Sequence, residues 1–220
     1  MRGFYFFCAI ILNMRDEAFE ILKILFNQNG YRLYMVGGTS RDFLLGRDYE
    51  DRDFVTDATP EEEKYFLPNA EYQFAKFGSI RVKVAGIKVD ITTLRIEGEY
   101  NDKRHPSLVK FVKDIEEDYV RRDFTINAIY IDEAYQVHDF ANGIDDLNSG
   151  IIKFIGDPDK RIAEDPLRII RAERFAETLG FDLDETTKEA IMRNRGLLDE
   201  LNPEKINEEK RKGWVDRYDK

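Results

Sequence analysis

Apolar positions along the chain repeat first at helical and then at strand spacing. From Met14, the residues Ala18, Ile21, Leu22, Leu25 and Phe26 fall on one face of an amphipathic helix. Tyr31 to Val36 then reads as a β-rich strand between Gly30 and Gly37, followed by a short helix over Thr39 to Leu45 that Gly46 stops. A second strand runs through Asp53 to Val55, and Thr59-Pro60-Glu61 opens another helix with proline at its first position. Two alternating runs, Ile80 to Ala85 and Ile87 to Thr92, are split by Gly86 and predict a hairpin. The stretch Glu97 to Ser107 is polar and rich in turn residues, and reads as a mobile loop.

The spacing predicts a helix from Arg122 to Ile129, then a short strand through Tyr130 and Ile131. From Lys160 onward the pattern is helical, broken at Gly180. The expected layout is a mixed α/β half over residues 14–150 and a helical half over 151–220, with no repeats. Residues 1–13 stand apart. Phe4 to Leu12 is too short to span a bilayer and lacks a small-residue cleavage site after it. It is either an N-terminal extension or a packed strand or helix turn, and no membrane association is expected.

Composition narrows the function classes. The 220 residues include 42% hydrophobic ones, enough for a core. A net charge of −10 argues against broad duplex binding, which needs many lysine and arginine contacts to phosphate. Cys8 is the only cysteine, so no intrachain disulfide forms, and a reducing, cytoplasmic setting is the natural reading. His105 and His138 lack partners at zinc-ligand spacing.

Candidate chemistry begins at Asp51-Arg52-Asp53. On a strand, residues i and i+2 share a face, so both carboxylates can serve one site. Two such acids need a cation between them, and magnesium prefers oxygen ligands and bridges carboxylates to phosphates. Asp90 interrupts the apolar strand Ile87 to Ile91; it is either a third carboxylate beside that pair or an exposed strand-face acid. Gly37-Gly38 lies between a strand and a helix start, where backbone N–H groups can approach an anion, and Arg41 can reach the same phosphates. Arg171 and Arg174 fall in the same helical arc as Leu167 and Ile170, so they need anions: a substrate phosphate or internal carboxylates.

Together these segments resemble a known family. The run Gly37-Gly38-Thr39-Ser40-Arg41-Asp42 with Asp51-Arg52-Asp53 is similar to the head signature of class II tRNA nucleotidyltransferases and bacterial poly(A) polymerases. Arg121-Arg122-Asp123-Phe124-Thr125-Ile126-Asn127-Ala128 resembles the RRDFTxNA motif, and Glu164-Asp165-Pro166-Leu167-Arg168 with Arg171 and Arg174-Phe175 resembles EDxLRxxRxxRF. The resemblance implies a polymerase-beta-like α/β head with a mixed sheet and a small all-α neck. The body and tail helices that grip tRNA in the family would be absent or supplied by a second subunit.

By the same resemblance, Asp51 and Asp53 would bind two magnesium ions, with Asp90 as the third catalytic carboxylate. Gly38, Arg41 and Arg122 would contact the triphosphate, Asp123 and Asn127 would place the ribose and primer end, and Asp165 and Arg168 would read the base. Cytosine and adenine each present an amino donor beside a ring-nitrogen acceptor, which a carboxylate–guanidinium pair complements; guanine and uracil present the reverse. The implied activity is addition of CMP and AMP from CTP and ATP to a tRNA 3′ end. Poly(A) polymerase activity, or an idle nucleotide-binding module, are the alternatives.

Overall fold

The structure, a computed structural model, describes residues 15–98 and 108–218, with side chains through 212. The N-terminal apolar run and most of the Glu97–Ser107 loop lie outside the described residues. The chain divides into two compact units. One takes in the described chain up to Ile96, with Val109–Arg121 and Asn127–Phe140; the other takes in Arg122–Ile126 and the chain from Ala141 on, with the ends of the 97–108 segment. No helix among the described residues is long and apolar enough to cross a membrane.

In the first unit, α1 (Glu17–Gln28) is capped by Asp16, whose carboxylate accepts the Phe19 N–H at 2.9 Å. Its buried face is Ala18, Phe19, Leu22 and Phe26, while Ile21 is exposed. The expected face is thus rotated. Phe19, the larger apolar body, takes the centre of the stripe and meets Phe54 edge-on at 5.1 Å.

The helix covers a six-stranded mixed sheet of order β3-β4-β2-β1-β7-β8. These strands are β1 (Leu33–Met35), β2 (Arg52–Thr56), β3 (Ser79–Val84), β4 (Ile87–Thr93), β7 (Ile129–Ile131) and β8 (Val137–Asp139). A separate ribbon pairs β5 (Arg95–Glu97) with β6 (Val109–Phe111). Side chains alternate: Leu33, Met35, Phe54, Val89, Ile91 and Ile131 face α1, and Tyr34, Val55, Leu94 and Tyr130 pack on the other side.

The β3–β4 hairpin turns through Ala85 and Gly86, both at positive φ (50° and 85°), as a two-residue primed turn requires. Between β1 and β2 lies α2 (Gly37–Leu45), ended by Gly46. After β2, α3 (Pro60–Phe66) starts with a capping box, Thr59 accepting the Glu62 N–H and Glu62 accepting the Thr59 N–H.

The helix expected over Arg122 to Ile129 does not form; only a 3-10 turn, Thr125–Asn127, precedes β7. The reason is competition for backbone donors. Thr125 N–H bonds the Lys153 carbonyl at 3.0 Å, Ile155 N–H bonds the Asp123 carbonyl at 3.0 Å, and Phe124 bridges to Phe154.

The first unit also holds the one-turn α4 (Ile115–Asp118), and the second contains α5 (Gly143–Ser149), α6 (Pro158–Glu164), α7 (Leu167–Leu179), α8 (Glu185–Asn194) and α9 (Pro203–Tyr218). The helical run from Lys160 breaks at Gly180, where β10 (Asp182–Leu183) pairs in parallel with β9 (Ile151–Ile152). It breaks as well at Asp165 and Pro166 and at Leu201 and Asn202, which its periodicity does not predict. Phe124, Phe154, Ile162, Ile169, Ala172, Phe175 and Ile191 are buried in this unit.

Candidate nucleotide site

The sheet brings Asp53 and Asp90 together. β2 and β4 run parallel with Asp53 opposite Asp90, and paired residues project from the same face. Across the hairpin, Arg81 of β3 is opposite Asp90 in turn. The face therefore carries a row of Asp53, Asp90 and Arg81 on three adjacent strands. Arg81 grips both oxygens of Asp90, Nε to Oδ1 at 2.7 Å and Nη2 to Oδ2 at 2.8 Å. Asp51 sits one residue before β2 and is exposed. Its charge reaches the same guanidinium: Arg81 is held further in its charged form by its bonds to Asp90 above all, then by Glu71 and Asp51.

Among the described residues, no three histidine, cysteine, aspartate or glutamate side chains form a ready metal cage. The carboxylate of Asp90 is turned to Arg81 instead. The donor set nonetheless fits a hard divalent cation. Asp51, Asp53 and Asp90 offer carboxylate oxygens within reach of solvent, and one cation, the guanidinium of Arg81, already draws on Asp90 and Asp51.

The glycine turn is tied to these acids through the backbone. Val36 donates its N–H to the Asp53 carbonyl at 3.1 Å. Thr39, buried at the start of α2, accepts the Asp53 N–H at 2.7 Å and donates to the Asp51 carbonyl at 3.2 Å. Gly37 has φ +67°, and a β-carbon there would stand 3.4 Å from Asp53 Oδ2, so the position needs both the conformation and the space of glycine. No side chain caps the N-terminus of α2, as an anion site at a helix start requires. Arg41 is nearly buried, donating to both oxygens of Asp42 at 2.9 and 2.7 Å and to Asn127 Oδ1 at 2.9 Å. Gly38 lies against it: a β-carbon there would be 3.6 Å from Arg41 Nη2.

In the second unit, the expected nucleotide-binding arginines engage internal carboxylates. Arg171 donates twice to Asp123 Oδ2, at 2.8 and 2.5 Å, and at 3.4 Å to Glu209 of α9. Arg174 donates to Glu209 at 3.2 Å and stacks over Phe175 at 4.2 Å. Burial is the largest influence on Asp123 and pushes its pKa up. The charge and hydrogen bonds of Arg171, with the Phe124 N–H and Arg168, outweigh it and hold the carboxyl well below the usual range. Arg122 accepts a bond at its carbonyl from Arg161 at 2.7 Å.

Asp165 and Arg168 do not share a helix face. Asp165 is extended (φ −148°, ψ 98°) at the end of α6, while Arg168 lies in the first turn of α7. They meet across an elbow instead. The Asp165 carboxylate accepts the Leu167 N–H at 3.1 Å, and its carbonyl accepts the Arg168 N–H at 3.0 Å. The Arg168 guanidinium bonds the Arg161 carbonyl and Glu164, both at 2.7 Å. Pro166 explains the break, because it disfavours helical geometry at the residue before it.

Sequence reasoning missed Thr39, Arg81 and Glu164. Arg81 was within reach of the hairpin alone: a turn centred on Ala85 and Gly86 pairs Val84 with Ile87, hence Arg81 with Asp90.

Residues 33–153 match the family described as the poly A polymerase head domain. The CCA-adding enzyme of Lactobacillus helveticus is 42% identical over 193 residues, covering 88% of this chain and 48% of that protein. The CCA-adding enzyme of Geobacillus sp. is 41% identical over 194 residues, with 88% and 48% covered. Among solved structures, the Bacillus stearothermophilus CCA-adding enzyme in complex with CTP aligns with a TM-score of 0.81 at 36% identity, covering 89% of this chain and 48% of that one. The Thermotoga maritima CCA-adding enzyme complexed with tRNA aligns with a TM-score of 0.72 at 27% identity, covering 92% and 48%. The chain spans about half the length of the curated relatives it matches.

Proposed function

The chain belongs to the poly A polymerase head domain family, and from that membership we propose that it adds CMP and AMP from CTP and ATP to a tRNA 3′ end without a template. The observation that carries this reading is the Asp53–Asp90 register, with Asp51 beside it and the Val36–Gly38 turn bonded to the same strand. The choice of CCA addition over poly(A) synthesis is supported by the names of the relatives that match at about two-fifths identity.

In this reading the tRNA 3′-hydroxyl oxygen attacks the α-phosphate, a new phosphodiester forms, and pyrophosphate leaves. Two magnesium ions held by Asp51 and Asp53, with Asp90 as third carboxylate, would supply charge neutralisation at the attacking and leaving oxygens. The amides of Gly38 and its neighbours, with Arg41 and Arg122, bind triphosphate oxygens. Asn127 holds Arg41 in place, and its proposed contact with the ribose draws on the same amide. Asp165 accepts from the exocyclic amine of cytosine or adenine, and Arg168 donates to the ring nitrogen. Asp123 orients Arg171, and Glu209 orients Arg171 and Arg174, so the charge of both arginines is matched by internal carboxylates. A cytoplasmic setting is supported by the single cysteine.

The test is incorporation of labelled CTP and ATP into tRNA lacking its CCA end. Magnesium-dependent addition that stops after three nucleotides is expected, with Asp51→Ala or Asp53→Ala losing at least about 100-fold. Normal turnover in a folded Asp53→Ala protein would overturn the metal reading. A long adenosine tract would favour poly(A) synthesis, and nucleotide binding without transfer would favour an idle module.

A further inference from the structure

The carboxylate face carries a cation of the chain's own. Arg81 places two of its three guanidinium nitrogens on Asp90, and the two side chains remain 52% and 43% exposed. The pairing is imposed by the strand register, since six residue pairs from Ser79–Thr92 to Val84–Ile87 align β3 with β4. Arg81 is also anchored by its backbone, which exchanges hydrogen bonds of 2.7 and 3.1 Å with Glu71. Only its side chain is free to swing.

We propose that Arg81 is a built-in counter-ion of the metal face: it holds Asp90 while no divalent cation is bound and must release it when one arrives. The inference rests on the metal reading of Asp51 and Asp53. A guanidinium and a divalent cation draw on the same carboxylate lone pairs, so the two compete for Asp90. The ion pair is half exposed, and such pairs contribute little, so release costs about a factor of five or less in affinity. Arg81 therefore acts as a positioning residue, keeping Asp90 aimed along the face and setting the threshold for cation binding. If the pair were only a cross-strand brace, its loss would change hairpin stability and leave cation affinity alone.

The experiment measures Mn2+ alone, without nucleotide, binding to the full chain by electron paramagnetic resonance of free Mn2+. Arg81→Met is expected to bind about fivefold more tightly, Arg81→Lys to fall between, and Lys83→Met, which removes an equal charge on the same strand, to match the parent. With Asp90→Asn in place, Arg81→Met should add nothing. Circular dichroism checks that each variant is folded. Unchanged or weaker binding by Arg81→Met, or a gain that persists in the Asp90→Asn background, overturns the proposal while Asp53→Asn still abolishes binding. Binding indifferent to Asp53→Asn, or absent in parent and variant alike, overturns the metal reading and this inference with it.

Discussion

Thr39 accepts the backbone N–H of Asp53 through its hydroxyl at 2.7 Å, joining the first turn of α2 to a strand residue 14 positions on. The same hydroxyl donates to the Asp51 carbonyl at 3.2 Å, so one side chain sets the spacing of both acids.

Thr39→Val keeps the shape and removes both bonds, leaving a strand N–H and a carbonyl unsatisfied. A loss of about 1–3 kcal/mol in stability is expected. Because the carboxylates lose their common tether, kcat should fall about tenfold with KM for CTP changed less. Thr39→Ser should restore both. Steady-state kinetics and a urea melt would check this; unchanged kcat in Thr39→Val would show that the tether is dispensable.

Glu63 is wholly buried in α3, and neither carboxyl oxygen has a hydrogen-bond partner. Burial, with added repulsion from Glu61 and Glu62, pushes its pKa up to about 9. Its unfolded value is near 4.5, so between pH 4.5 and 9 the native state holds a proton that the unfolded chain releases. Stability then falls as pH rises through that window, by on the order of 3 kcal/mol at pH 7. Glu63→Gln should flatten this part of the stability–pH curve, and Glu63→Leu should raise the melting temperature at pH 8. A wild-type melting temperature that does not decline from pH 5 to 9 would contradict the assignment.

Asp123 titrates in the opposite sense. Its carboxyl is held well below the usual range, so its pairing with Arg171 stabilises fully above the unfolded value near 4 and is lost as the pH falls below it. Asp123→Asn should cost about 2 kcal/mol at pH 7, less than for a sealed pair because Arg171 is 30% exposed and keeps Glu209. The variant should also lose part of the acid limb between pH 4 and 2 that thermal melts of the parent display.

The elbow at Asp165 makes base choice depend on more than the reading pair. Asp165→Ala or Arg168→Ala should reduce discrimination of CTP and ATP against GTP and UTP by about tenfold, on the cost of an unmatched hydrogen bond. Glu164→Ala, which frees Arg168 on one side, should produce a weaker effect of the same kind. Comparing kcat/KM for the four nucleotides decides it; unaltered preference in Arg168→Ala would remove base reading from this residue.

The elements that local chemistry specifies were legible in the sequence. Gly46 ends α2, Thr59-Pro60 starts α3 with its capping box, and Gly86 turns the hairpin, each through a backbone preference carried by the residues themselves. The acidic pair and the glycine turn were visible for the same reason, as residue types that a strand and a helix start use in characteristic ways. What escaped were positions whose state depends on distant partners. Arg122 to Ile126 has a pattern compatible with helix, yet Lys153 and Ile155 claim its backbone groups. Ile21 has the spacing of a core residue, yet Phe19 fills the place beside Phe54.

The sequence by itself determined which acids, glycines and arginines are present and the family whose order of motifs they follow. It also determined that Asp53 and Asp90 would lie on strands, because side-chain alternation there is a property of the local backbone. Only the tertiary structure decided that Asp90 stands beside Asp53 and that Arg81 takes both of its oxygens, since register between strands is set by pairing across the sheet. It likewise decided that Arg171 and Arg174 lean on Asp123 and Glu209, where the sequence pointed to a substrate phosphate and left internal carboxylates as the alternative. A charge buried on a helix face must find an anion, and which anion it finds depends on what the rest of the chain folds against it.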